Sequence, residues 1–491
     1  MKRLLALAGI ASAALTVLAA DRRAPEADFY RLVTLATPPG TALEVGGLQA
    51  MPDGRLYVST RFGDIWLVED SLAEPPAAPR WTLFAQGLHE VLGLAWRDGW
   101  LFATQRGEVS RLKDGDGDGR ADIIETYADG WGLTGDYHEY AFGSKFDAGG
   151  NMLLVLCLTG SFSSEAPYRG WCLEVQRGGR VVPFASGIRS PGGIGTNTVG
   201  DFFYTDNQGP WNGTSGLKHL ARGKFMGHPG GNRWYDLPAV KAALGARPAE
   251  PRSGGRMVPE AERIPELVPT AIHFPYNKMG QSASGIACDG TGGRFGLFTN
   301  QLFVGDQTHS TVMRVFLERV DGVYQGALFP FRAGYDSGNL ALEFAADGSL
   351  FVGGTDRGWG ARGGKPFALQ RTVWTGRTPF EIHEMRARRD GFELTFTEPV
   401  DAAAAASTGS YRLTTYTYQY RADYGSPEVD ATTPVVREAR VAPDGRSVRL
   451  TVDGLQPGHV HELHLPGVRS RAGAPLLHPE AYYTLNRIPR E

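Results

Sequence analysis

The chain has 491 residues, 50 basic against 53 acidic side chains, and a formal charge of −3. That balance excludes the basic face a nucleic-acid partner requires, and an apolar content of 42% excludes a disordered chain. Glycine, at 65 residues, runs at about double the usual ~7%, which indicates many tight turns and an all-β composition.

Met1, Lys2 and Arg3 precede an apolar run from Leu4 to Ala20, and Asp21 follows. A basic start, a short apolar stretch and small residues at its end read as a secretory signal over residues 1–20, so the protein is expected to be secreted or periplasmic. No later stretch reaches the ~18 apolar residues of a membrane span.

From residue 45 onward one phrase recurs six times: a glycine-rich entrance, an alternating apolar strand, a break at small residues and a second strand. Gly46-Gly47-Leu48 opens the first repeat, Leu92-Gly93-Leu94 the second, Pro191-Gly192-Gly193 the fourth and Ser284-Gly285-Ile286 the fifth. Asp53 and Asp98 are 45 residues apart and Asp98 and Asp147 are 49, the period of a four-stranded propeller blade. The repeats predict a six-bladed β-propeller over residues 21–375 with polar residues at its central channel. Residues 376–491 change to short period-two strands, for example 392–396, 448–452 and 461–465, and predict an Ig-like β-sandwich. The sandwich is expected to be separable and to offer a surface for a protein partner.

Taken in chain order, the first chemical motif is Asp114-Gly-Asp116-Gly-Asp118-Gly119-Arg120-Ala121-Asp122-Ile-Ile-Glu125. It fits an EF-type loop at 114–125, in which Asp114, Asp116, Asp118, Asp122 and Glu125 offer carboxylates and Arg120 a carbonyl to calcium. Next comes Asp136-Tyr137-His138-Glu139 at the entrance of the third blade. His138 there suits a proton-transferring role, with Glu139 as an acid–base partner. Cys157 and Cys172 lie in successive strands, where they either pair or stay as buried thiols.

Arg189, Asp206 and Asn207, Asp306 with Gln307 and His309, Arg357, and Lys365 place polar side chains at comparable blade positions and are candidates for cofactor contact. Residues 222–281 interrupt the repeat with Pro, Gly and mixed charge, and a short helix is expected near 239–244. Such an insertion typically forms a rim over the channel mouth.

Ala185-Ser186-Gly187-Ile188-Arg189-Ser190-Pro191, together with the His138 motif, resembles the sorbosone and soluble quinoprotein glucose dehydrogenase propellers. Tyr137-His138-Glu139, Gly305-Asp306-Gln307-Thr308-His309, Arg362-Gly363-Gly364-Lys365-Pro366 and Tyr424-Gly425-Ser426-Pro427-Glu428 resemble more closely a bacterial group of membrane-bound-dehydrogenase-like propellers. The first resemblance implies oxidation of a sugar or polyol with pyrroloquinoline quinone, His138 as base and Arg189 on the quinone. Those dehydrogenases carry a Lys near Thr308 and His309 and an Arg pair near Leu340, and this chain does not. Two other readings therefore stay open: a quinone-free carbohydrate lyase or hydrolase in the same channel, and a non-catalytic propeller that binds a glycan or a protein.

Overall fold

The computed structural model describes residues 25–75 and 77–490, so the expected secretory signal lies outside the described residues. Six antiparallel blades surround a channel, the first five built in chain order from the inside outward. The inner strands are Val45–Ala50, Leu94–Arg97, Ala141–Phe146, Pro191–Thr196, Ala283–Cys288 and Asn339–Phe344. Each touches the next, and the sixth returns to the first, which closes the ring. The ring is locked by the N-terminal strand Tyr30–Thr34, which pairs with Phe367–Trp374 as the outermost strand of the sixth blade, Tyr30 opposite Trp374. The repeat pattern gave no sign of that strand, because it lies before the first repeat.

The glycines of the inner strands have a steric cause. A Cβ on Gly93 would sit 2.2 Å from the Gly143 carbonyl oxygen, one on Gly192 2.2 Å from that of Ala283, and one on Gly285 2.6 Å from that of Leu340. Any side chain at these positions would push neighbouring blades apart. Between the blades lie aliphatic and aromatic clusters, such as Leu153, Val155, Ile188 and Tyr204 between blades three and four.

The insertion holds the 3-10 segment Pro229–Asp236, the helices Pro238–Leu244 and Met257–Arg263, and the strand Ile272–Phe274, which is the outer strand of the fourth blade. Its last residues, Tyr276 and Gln281, reach the channel mouth, while the rest lies against the side of the propeller. Tyr235 and Val240 pack on the fully buried Trp171 of blade three, and Phe225, Ile264 and Leu267 close on Tyr420 of the C-terminal region. Apolar residues on this segment have a surface to cover, and they cover the side of the propeller.

The C-terminal region forms two sheets about one core. Ile382–Arg388, Gly391–Phe396, Ser447–Asp453 and Val435–Val441 make the first, and Glu480–Leu485, His459–His464, Arg412–Thr417 and Val429–Thr432 the second. Phe392, Leu394, Val448, Leu450 and Leu463 are fully buried between them. This region is continuous with the blades. Strand Val323–Arg332 of blade five pairs with Glu480–Leu485, Gly326 opposite Thr484 and Leu328 opposite Tyr482, so one eight-stranded sheet crosses the expected boundary. Phe316 and Phe329 of blade five belong to the C-terminal core. The buried Arg314 guanidinium donates to the Ile382 carbonyl at 2.6 Å and to the His383 carbonyl at 2.9 Å.

A charged clamp ties the same parts together. His478 Nδ1 lies 2.6 Å from Glu381 and Nε2 2.9 Å from Glu26, and Arg332 reaches Glu26 at 3.1 Å. Burial works against charge on His478, but Glu381 and Glu26 outweigh it and push its pKa up to about 10. A raised imidazole stabilises the fold fully below the ordinary value of 6.5 and loses that contribution as pH rises through about 10. Cys157, Cys172 and Cys288 are free thiols; Cys172 faces Val155 across the strand pair, not Cys157.

Gly285→Ala is expected to lower stability by about 1–3 kcal/mol through overpacking, read as a shift in the denaturant midpoint. Gly290→Ala, where a Cβ meets nothing within 4 Å, should leave it unchanged. A chain ending at Arg377 is expected to be insoluble or unfolded, since it exposes Phe316 and Phe329 and strips two of the three acceptors from the Arg314 guanidinium. A soluble, cooperatively melting truncation would contradict this.

Candidate functional site

The channel mouth is built from the ends of blade strands. His138, Ser161, Phe162, Arg189, Asn207, Gln208, Tyr276, Gln281, Ser282, Trp359 and Tyr424 line a cavity of about 170 Å³. Beneath it Arg61, Tyr140, Gln307 and Arg357 surround a narrower space of about 50 Å³, and Ser190, Asn207, Ser282 and Trp359 border both. Five of the residues expected at the channel are therefore brought together: His138, Arg189, Asn207, Gln307 and Arg357.

His138 is held by its own loop. Asp136 Oδ1 accepts the backbone N–H groups of His138 and Gly160, both at 2.8 Å, and lies 3.6 Å from His138 Nδ1. The imidazole is about 30% exposed and meets the rings of Tyr137, Tyr140 and Trp359 edge-on. Partial burial lowers its pKa below 6.5; Asp136 opposes this, and the Arg189 and Arg106 cations add to it. At neutral pH the ring is uncharged and can take a proton.

The loop is fixed from behind. Arg106 donates to the Asp136 carbonyl at 2.8 Å and to the Tyr137 carbonyl, and buried Glu90 bridges Arg106 and Arg61. Tyr140 lies between these two guanidinium groups, 5.2 Å from one and 5.1 Å from the other. Two cations share one carboxylate here, so the mouth keeps a positive surplus.

Arg189 is only 5% exposed, yet no carboxylate pairs with its side chain among the described residues. Its guanidinium donates to the backbone carbonyls of Ser161, Asn207 and Gln208 at 3.2, 3.1 and 2.5 Å, and it touches the rings of Tyr424 and Phe162. Beside it, the buried Oδ1 of Asn207 has no hydrogen-bond partner. A cation without a counter-ion and an acceptor without a donor, side by side, are prepared for a polar ligand.

Other expected site residues have structural work. Glu139 is fully buried, accepting from the Thr134 N–H at 2.7 Å and from the Thr134 and Thr159 hydroxyls, and it does not border the cavity. Asp206 accepts the Ser190 N–H at 2.8 Å and pairs with buried Lys218 at 3.1 Å; burial alone would raise its carboxyl, but Lys218 and that N–H hold it below the usual range. Asp306 holds the equivalent position one blade on and accepts the N–H groups of Gln281, Ser282 and His309. These aspartates pin the turns, and the residues just after them, Asn207 and Gln307, face the channel. His309 is buried with Nδ1 3.3 Å from the Met279 carbonyl, and Lys365 pairs with Asp336 at 2.7 Å away from the cavity.

Sequence reasoning missed Arg61, Tyr140, Tyr276 and Tyr424 as channel residues. Arg61 had a signal, since it follows Thr60 at the end of its blade's second strand as Asn207 follows Asp206. Tyr424 stood in a motif of the sequence, but nothing there placed that part of the C-terminal region at the mouth.

The acidic loop lies on the outer edge of blades one and two, where the Ala121 N–H donates to the Phe84 carbonyl at 2.8 Å. Carboxylate oxygens of Asp114, Asp116 and Asp122 come within 4.8 Å of one another and are the residues able to hold a cation. Asp118 turns to cap the Arg120 N–H at 2.8 Å, and Glu125, expected at the twelfth position, instead pairs with Arg111 at 2.6 Å. A strand begins at Ile123, so Glu125 points where the strand's alternation sends it.

Neither a family model nor a curated protein matches this chain. Several solved structures resemble it at the level of the fold. They include the aldose sugar dehydrogenase of Streptomyces coelicolor in its PQQ-bound form, at 15% identity over 70% of this chain and 98% of that one, TM-score 0.47. The pyranose dehydrogenase PQQ domain of Coprinopsis cinerea matches at 12% identity over 70% and 95%, TM-score 0.48. The soluble aldose sugar dehydrogenase of Escherichia coli matches at 12% over 70% and 99%, TM-score 0.44. No helix among the described residues is long and apolar enough to cross a membrane.

If the loop holds calcium, Asp122→Ala should remove a calcium-dependent rise in melting temperature while Glu125→Ala retains it. A ligand at a hundredfold excess over its Kd contributes about 2.7 kcal/mol. Equal melting of the parent protein in calcium and in chelator would exclude the ion.

Proposed function

We propose that this protein is an exported oxidoreductase that oxidises a hydroxyl group of a sugar or polyol at the channel mouth, with pyrroloquinoline quinone as its exchangeable cofactor. The observation that carries the reading is His138: a half-buried, uncharged imidazole lining the same cavity as an unpaired guanidinium. Oxidation of a carbinol to a carbonyl removes one proton and one hydride. With Nδ1 toward Asp136, His138 Nε2 is the group that accepts the hydroxyl proton, and Asp136 favours the imidazolium that results. The quinone, when bound, supplies the two-electron acceptor for the hydride.

The residues present fit such a group. Arg189 offers an unpaired cation to a carboxylate, Asn207 Oδ1 an empty acceptor to a ring N–H, and Trp359 an aromatic boundary. Arg61 and Arg357 add positive charge below, the latter partly offset by Glu44 at 3.2 Å. A hydrolase reading has less support, because glycoside hydrolysis generally uses two carboxyl groups and neither cavity is lined by one. A lyase reading retains one supporting feature: Arg189 beside His138 could neutralise a uronate while His138 removes the neighbouring proton.

The test is dye reduction across a panel of sugars and polyols with added calcium and quinone, alongside ultraviolet detection of unsaturated products from uronate polymers. His138→Asn should reduce dye reduction by about 10²–10⁴-fold without changing the melting temperature. In the parent enzyme the rate should fall as pH drops through a point below 6.5, where the imidazole becomes charged. Unsaturated product without dye reduction would replace the oxidoreductase by a lyase. Loss of activity only in proportion to lost folded protein would make His138 a structural residue.

A further inference from the structure

Exposed aromatic side chains are not scattered over this protein. Among the described residues the six that count as exposed are Phe62, Tyr137, Phe162, Tyr276, Trp359 and Tyr424, each between 36% and 57% accessible. All six lie at the channel mouth. Phe162, Tyr276, Trp359 and Tyr424 border the cavity itself. Phe62 lies under the Arg357 guanidinium at 4.8 Å, and the Tyr137 hydroxyl lies against Gly358. Exposure of so many large rings on one face costs solvation free energy, and a contiguous apolar patch of this kind marks a binding surface.

The polar groups between the rings define what binds. Gln208, Gln281 and Ser282 present amides and a hydroxyl at the cavity wall, beside the Arg189 and Asn207 that face the cofactor in the reading above. Flat apolar faces alternating with hydrogen-bonding groups match a pyranose, whose C–H face is apolar and whose edge carries hydroxyls. The cavity, about 170 Å³, is smaller than the roughly 300–1,000 Å³ of a site for a drug-sized ligand. It is too small to enclose an oligosaccharide, and Phe62 and Tyr137 stand outside it.

We infer that the substrate is the end of an oligosaccharide chain: one terminal ring enters the cavity, and the next rings lie on the platform formed by Phe162 and Tyr424. This rests on the sugar-acting reading above and narrows it from a free sugar to a chain end. The platform is built, not incidental. Phe162 and Tyr424 have ring centroids 6.3 Å apart, and Arg189 reaches both from beneath at 6.0 and 5.3 Å. Tyr424 is stitched to the blade-four loop by a bridge to Pro210, by the Gly425 N–H on the Gly209 carbonyl at 3.1 Å and by the Trp211 N–H on the Arg421 carbonyl at 2.6 Å. The C-terminal region thereby supplies a specificity-determining side chain to a site otherwise made by the blades.

The experiment is calorimetric titration of the full chain, without quinone, with cellohexaose, maltohexaose and xylohexaose against glucose and xylose. At least one hexaose should bind about tenfold or more tightly than its monosaccharide. Tyr424→Ala and, independently, Phe162→Ala should each cut hexaose affinity about tenfold, several times more than they weaken monosaccharide binding, and leave the melting temperature as it was. No gain for any hexaose, or a gain that survives both substitutions, overturns the inference. Because binding is read without turnover, the two ideas fail separately. Oxidation of free sugars with no hexaose preference would leave the oxidoreductase and remove the chain-end substrate. A platform-dependent hexaose preference with no dye reduction would do the reverse.

Discussion

The architecture depends on how closely the inner strands approach one another around the channel. Glycines at that level let one blade's backbone rest on the next, with no room for a Cβ at Gly93, Gly192 or Gly285. Close approach keeps the channel narrow, and a narrow channel brings side chains from different blades within reach of one small ligand. The aspartates Asp206 and Asp306, buried and bonded to backbone N–H groups, then fix the turns above the glycine level. The site inherits its precision from these two layers rather than from contacts among the site residues themselves.

Charge at the mouth follows the same logic of enforced arrangement. Glu90 is shared by Arg61 and Arg106, and Arg189 is satisfied by carbonyl oxygens instead of a carboxylate. Carbonyls orient a guanidinium without cancelling its charge. Partial burial, reinforced by Arg189 and Arg106, keeps His138 uncharged near neutrality, and the surplus leaves an electropositive surface for a ligand. The same cations thus reinforce the uncharged state of the base and set the polarity of the pocket.

The C-terminal region is bound into this design. Its second sheet extends blade five, its core takes in Phe316 and Phe329, and its His478 joins Glu381 to the N-terminal Glu26. Glu26 and His478 therefore meet beside blades five and six. The hairpin that carries Tyr424 crosses to the mouth only because the region beneath it is fixed to the propeller. A mobile appended domain could not hold one ring 5.3 Å from Arg189.

Much of this was legible in the sequence, and the limit has a clear origin. Period-two strands between glycine-rich turns at regular spacing specified the blades, since alternation and turn chemistry are local properties. Blade equivalence also marked His138, Arg189, Asn207, Gln307 and Arg357 as channel residues. Locality failed where identical residue types had to be sorted by direction. Asp206 and Asn207 are neighbours in sequence, and Glu139 follows His138, yet in each pair one side chain is sealed inside the blade and the other faces the cavity. Glu125 went to Arg111 because a strand started two residues before it. The closing N-terminal strand, the sheet shared with blade five and the arrival of Tyr424 at the mouth are pairings across 150 residues or more. No window of sequence contains both partners of such a pairing, so only the tertiary structure could decide them.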